Sequence, residues 1–309
     1  MEIAEIGRDG ERGTSGRALS PSLFRSSVRR LFVPVLTALT LTVVSCTGSA
    51  PPDPAGETSV SLRNPLLFAE PEVLLREGDV VLLRWEIDDE PILWQPGPHR
   101  LRHLENWRRA IQEAIGEDPG PRTDPRYLIR RNRELYPWLE SENEAVGRIN
   151  RRVESGKLGR LRPMNGLESF LLDFHAARYP LVAKPSELGA LILSRPDREG
   201  PRLRVYYLTD GDGLPPKRGV RTVLESAHRD LGAGWDLRTF LHNHTFDLGS
   251  ERGMLAIAAP SPSDVHFIRT VIAPLKPDEA WIVDGFHSIE LDPADLAGLE
   301  LPGTQTEED

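Results

Sequence analysis

Apolar residues recur along this chain at two spacings, one of helices and one of strands. Residues 80–85 are a short continuous apolar run behind Gly78 and Asp79, which predicts a strand. Over 103–115, Leu104, Trp107, Ile111 and Ala114 return at helical spacing, and Gly116 supplies a stop. The stretch 126–156 is heavily charged, with scattered apolar positions at similar spacing, and predicts one or two exposed helices. Another amphipathic helix is predicted at 167–177, ended by Tyr179 and Pro180.

The pattern then changes. Residues 188–193 predict a strand, 195–200 a turn and 203–208 its antiparallel partner. A helix is predicted at 220–231, a strand at 237–241 running directly into His242, a helix at 265–272, and one or two last strands within 280–291. Strands and helices mixed in this order, with an early hairpin, predict an α+β fold. A dinucleotide-binding sheet is disfavoured, since no GxGxxG follows a first strand. The organisation expected is a signal segment (1–46), a tether (47–64), a smaller, mostly helical N-terminal region (65–165), the α+β domain (166–295) and an acidic tail (296–309).

Charge narrows the partners. With 38 basic and 47 acidic residues the net charge is −9, which argues against nucleic acid, whose binding needs clustered basic side chains. The uncharged, mostly apolar run at 31–45, preceded by Arg25, Arg29 and Arg30, has the layout of a secretory signal and is short for a bilayer span. It ends Val43-Val44-Ser45-Cys46, which resembles the lipobox of bacterial lipoproteins. Cys46 is the only cysteine, so it has no internal disulfide partner. The resemblance implies lipidation of Cys46 and a membrane anchor, with Thr47 in place of Asp resembling outer-membrane sorting where two membranes exist. The segment ahead of the apolar run is long for a signal, which suggests a translation start downstream of Met1. Residues 47–62, rich in Pro, Gly, Ser and Thr, suit a tether.

Candidate chemistry centres on His242-Asn243-His244. At the end of a strand, alternate side chains point the same way, so both imidazoles reach one ion. Two His, one carboxylate and an open position for water suit catalytic zinc; strand histidines also serve as ordinary hydrogen-bonding residues. In Pro260-Ser261-Pro262-Ser263-Asp264, a Ser cap, Pro at the first helical position and Asp at the third form a helix start. Such a carboxylate is also held in place, as a ligand needs. His99 and His103 read as solvated surface, His175 as a helix-surface or packing residue, and His228, His266 and His287 as isolated. Asp210-Gly211-Asp212-Gly213 reads as a turn.

His242-x-His244 followed by Ser261-x-x-Asp264 resembles the HxH…SxxD signature of the JAMM (JAB/MPN) metallopeptidases, and Glu187, in Pro185-Ser186-Glu187-Leu188-Gly189, resembles that family's opening glutamate. The resemblance covers about 166–295. It implies a JAB/MPN-like (cytidine-deaminase-like) mixed sheet flanked by helices, with Zn2+ held by His242, His244 and Asp264. It also implies Glu187 as general base and acid, Ser261 donating to the oxyanion, and hydrolysis of a peptide or isopeptide bond in a peptide or protein substrate. Two departures stand out: Thr245 where the family has Pro, and a long segment between His244 and Ser261. An inactive JAB-like protein-binding module at the cell envelope is the alternative. His242-Asn243-His244-Thr245 also resembles the opening of PHP-type phosphoesterases, but too little chain follows to supply that barrel's later ligands.

Overall fold

The computed structural model describes residues 69–96, 102–118, 124–179, 186–198, 200–211, 217–248 and 253–299. The signal segment, Cys46, the tether, His99 and the end of the acidic tail lie outside the described residues.

Alternating and continuous apolar runs form an eight-stranded sheet among the described residues. Its strands are β1 (Glu72–Glu77), β2 (Val80–Asp88), β3 (Arg160–Pro163), β4 (Leu188–Arg195), β5 (Arg202–Thr209), β6 (Asp236–Asn243), β7 (Glu279–Val283) and β8 (His287–Leu291). Their spatial order is β1-β2-β5-β4-β6-β7-β8-β3, and only β6 and β7 run parallel. The architecture is therefore α+β with a mixed sheet. The expected hairpin forms in full register, from Leu188 opposite Thr209 to Arg195 opposite Arg202.

The helices are α1 (Arg102–Ile115), α2 (Tyr127–Leu135), α3 (Trp138–Ser141), α4 (Glu144–Glu154), α5 (Gly166–Arg178), α6 (Lys217–Gly232), α7 (Pro262–Phe267) and α8 (Pro293–Ala297). Successive strand residues face opposite sides of a sheet, and β5 shows which helix covers which face. Tyr207 packs edge-on against Phe174 of α5, while a Cβ on Gly219 of α6 would stand 2.8 Å from Leu208. Helices α5 and α6 thus lie on opposite faces. The core between them includes Trp85, Leu82, Leu191, Val205 and Ile282, all buried.

Four expectations change. Residues 65–165 are not confined to helices or set apart from the following domain, because β1, β2 and β3 belong to the same sheet. The charged stretch 126–156 forms three helices, and Leu128, Ile129, Ile149 and Val153 on them are buried. Its charges satisfy one another, with Arg133 donating to Glu140 (2.9 Å) and Glu154 (2.6 Å), so a high charge content does not mean an exposed surface here. Helix α5 is buried from Gly166 to Leu172 rather than amphipathic, and its buried Glu168 pairs with Arg162 at 2.6 Å. Finally, Leu296 and Leu299, assigned to the tail, are buried in the body.

The β7–β8 turn is clamped by α1. Asp284 Oδ1 accepts from the backbone N–H groups of Phe286 and His287, Gly285 takes φ 92°, and Trp107 stacks on Phe286 at 5.3 Å. A Cβ on Gly285 would stand 1.3 Å from Trp107 Cη2. Gly285→Ala therefore has to expel the indole and strain the backbone together, and should cost about 3 kcal/mol or more in denaturant unfolding. A loss under about 0.5 kcal/mol would show that α1 does not clamp the turn as described.

Candidate metal centre

His242 is the penultimate residue of β6 and His244 follows the strand's end. The ladder aligns His242 with Gly189 of β4, and so brings it beside the strand that Glu187 precedes. Asn243, between the two histidines, is fully buried and holds the junction: its Oδ1 accepts from Leu188 N–H (2.6 Å), and its Nδ2 donates to the carbonyls of Ser186 (3.4 Å) and His244 (3.3 Å). Nothing in the motif spacing singled out Asn243. A buried polar residue at a strand end is the signal that could have found it.

Asp264 arrives from the other side, in the first turn of α7. Ser261 caps that helix: its Oγ accepts from Asp264 N–H (3.2 Å) while its own N–H donates to Asp264 Oδ2 (2.7 Å). The predicted helix start and the predicted ligand position are thus one structure. Beyond Phe267 the helix widens into a π-helical turn, Ile268–Ile272, a distortion enriched at functional sites.

His242, His244 and Asp264 converge, each offering a ligand atom within 4.8 Å of the others. Asp264 Oδ2 lies 2.9 Å from His244 Nε2 and Oδ1 lies 3.5 Å from His242 Nε2. These separations bracket the roughly 3.3 Å edge of a tetrahedron with metal bonds of about 2.0 Å. Glu187 Oε2 stands 3.7 Å from His242 Nε2, at the margin of the cluster.

Proton placement favours a cation in the centre. His242 Nδ1 faces the Leu188 carbonyl (3.2 Å) and His244 Nδ1 the Ile257 carbonyl (2.9 Å). A carbonyl only accepts, so both Nδ1 atoms carry hydrogen. In the neutral rings, both Nε2 lone pairs then point at carboxylate oxygens, an arrangement that requires a proton or a metal ion between them. Without metal, the proton is held tightly. Burial opposes charge on His244, but the adjacent Asp264 carboxylate outweighs it and pushes the imidazole up to about 9. Despite burial, the same contact holds Asp264 well below the usual carboxylate range. Carbonyl-oriented imidazoles are the usual outer support of metal sites.

The long segment between His244 and Ser261 supplies part of this support. Leu255 to Ala259 are buried, Ile257 provides the carbonyl that orients His244, and Leu255 N–H donates to Asn132 of α2 (2.8 Å). Among the remaining histidines, His228 on α6 lines a cavity beside the centre, and His287 lies buried beside Asp284. Of the Asp210–Gly213 motif, only Asp210 and Gly211 are described, and Gly211 takes a turn conformation at φ 79°.

His175, expected at a surface or in packing, is fully buried and active in positioning. Its Nε2–H donates to the Ser186 carbonyl (3.0 Å), and the Tyr207 hydroxyl donates to its Nδ1 (2.6 Å). It therefore fixes the residue before Glu187. Comparison with protein-family models, with curated proteins and with solved structures finds no match, so the chemistry is read from this geometry.

Burial drives His175 down to about 4. An unfolded imidazole takes up its proton near 6.5, so between those values the unfolded chain binds more protons and stability falls with falling pH. His175 should account for about 3 kcal/mol of loss from pH 6.5 to 4. Denaturant unfolding of the wild type and His175→Gln across that range measures the difference: the variant's slope should be shallower, and equal slopes would contradict the assignment.

Proposed function

We propose that the chain is an exported, lipid-anchored, zinc-dependent hydrolase of peptide or isopeptide bonds, of the JAMM (JAB/MPN) type. The observation that carries this reading is the convergence of His242, His244 and Asp264 with Glu187 Oε2 standing 3.7 Å from His242 Nε2. Two imidazoles and one carboxylate leave a fourth position free, the pattern of catalytic rather than structural zinc. Bound zinc would supply a Lewis acid and a water acidic enough to lose a proton near neutral pH.

The chain's own residues divide the remaining work. Glu187 is the carboxylate beside the centre that the ligand cluster does not use, so it accepts the water's proton. As the new C–O bond forms and the C–N bond breaks, Glu187 returns that proton to the leaving nitrogen. The hydroxyl of Ser261 accepts from Asp264 N–H and keeps its own hydrogen for either Ser263 Oγ, 2.7 Å away, or the developing oxyanion. Asn243 and His175 hold the backbone on either side of Glu187 and keep it in register with His242. The carbonyls of Leu188 and Ile257 keep both Nε2 atoms directed toward Asp264, where with its carboxylate they would hold the ion.

The lipobox resemblance at Cys46 supports a site of action at the cell envelope. A non-catalytic, JAB-like binding module is the second reading, favoured by the contact that already engages the Ser261 hydroxyl.

Glu187→Gln separates the two. It should leave one zinc per chain and lower amide hydrolysis of a peptide library by roughly 10²–10⁴-fold, the usual contribution of a general base. Equal cleavage by the wild type and the variant would contradict the mechanism, and no cleavage by zinc-loaded wild type would favour the binding module.

A further inference from the structure

Directly beside the metal centre lies a cavity of about 580 Å³. His242, Ser263 and Asp264 form one wall, shared with the centre. The other walls are mostly apolar, Leu191 and Phe240 on the sheet, Leu224 on α6, and Phe267 with Val271 at the widened end of α7, with His228 of α6 the one further imidazole among them. The two charged side chains at its margin, Arg221 and Glu225, neutralise one another at 2.8 Å. The volume lies within the roughly 300–1,000 Å³ of small-ligand pockets, whereas ordinary interiors pack with few such voids.

The fold holds this space open. Helix α6 is fastened to β5 at two separated points. Near its start, Gly219 is so close to Leu208 that a Cβ would clash; near its end, Asp230 accepts from Arg204 and, at 2.5 Å, from the Tyr206 hydroxyl. Tied along β5, the helix covers β2 and β5, and the cavity lies between it and the adjoining face of β4 and β6. Leu191 pairs with Phe240 on that face, one alternation from Gly189 and His242. The π-helical turn then brings Val271 and Ile272 to the opposite wall.

From these walls we infer that the cavity is a substrate subsite for large apolar side chains of the Leu and Phe class, next to the bond positioned at the metal centre. The inference rests on the hydrolytic reading for what occupies the centre, and on the cavity alone for what occupies the subsite. An apolar side chain entering it leaves water at a gain of about 25 cal/mol per Å². A carboxylate or amide there would lose its hydration against Leu191, Phe240, Leu224, Phe267 and Val271, with His228 the one uncommitted polar side chain among the described residues outside the metal-centre wall. A glycine would leave the space unfilled. Discrimination should therefore run Leu and Phe over Gly, and Gly over Asp.

The test uses the purified full chain loaded with zinc and three capped tripeptides of equal length, built on Leu-Leu-Phe, Gly-Gly-Gly and Asp-Asp-Asp. Methyl NMR follows Val220, Val223, Leu224 and Val271 during titration, and the same peptides are assayed for cleavage. The Leu-Leu-Phe peptide should shift those methyl signals and bind at least tenfold more tightly than either other peptide. Leu224→Asp should remove that preference while keeping one zinc per chain, which shows that the centre has survived. Val220→Phe, which narrows the cavity without adding charge, should weaken the Leu-Leu-Phe peptide and leave the glycine peptide unchanged. Equal affinity across the three peptides, or shifts confined to other methyl groups, would overturn the subsite. Selective binding without cleavage of any peptide would overturn hydrolysis and leave the subsite standing; cleavage of all three at equal rates would overturn the subsite and leave hydrolysis.

Discussion

Two imidazoles have their Nδ1 hydrogens committed to backbone carbonyls, so their remaining lone pairs face a buried carboxylate. That electrostatic constraint organises this end of the molecule. Left empty, the arrangement would set lone pair against lone pair in a site with little water to screen it. A positive charge must sit among His242, His244 and Asp264, supplied by a proton in the metal-free chain or by a metal ion. The contacts that position the three side chains come from elements far apart in sequence: the β4–β6 ladder, the Ser261 cap of α7, and the Ile257 carbonyl.

The supporting contacts extend into the N-terminal half of the chain. Asn132 on α2 receives Leu255 N–H and so anchors the segment whose Ile257 carbonyl orients His244. Trp107 on α1 packs against Phe246, two residues past His244, and against the β7–β8 turn. Residues ahead of position 165 therefore help to build the surroundings of the candidate metal centre, through packing and single hydrogen bonds rather than through ligands. This dependence accounts for the long His244 to Ser261 segment: its buried portion is a support on which the N-terminal helices act.

Much of the site was legible in the sequence because its residues keep local periods. His242 and His244 alternate along a strand, and Asp264 sits at the third helical position behind Ser261, so each side chain's direction follows from its own element. Glu187 was legible only by resemblance, because its approach to His242 depends on a cross-strand register. The burial of α5 and of the charged helices was not legible, since Arg133, Glu140 and Glu154 read as surface until they are seen to pair with one another. Strand β1 also escaped notice. EVLLRE lies at the sheet edge with its ends exposed, and neither its alternation nor its length separates it from a loop. The cavity had no sequence signal, because its walls come from β4, β6, α6 and the end of α7 and exist only once α6 is fastened to β5.

The most direct measurement of the central claim is X-ray absorption on the zinc-loaded chain, together with metal analysis of the His242→Ala and Asp264→Ala variants. The account predicts one zinc per chain, four-coordinate, with imidazole nitrogen and oxygen neighbours at about 2.0–2.1 Å and the scattering pattern of two histidines. Each variant should lose the ion. Substoichiometric zinc in the wild type, a shell without imidazole, or full retention by both variants would contradict it.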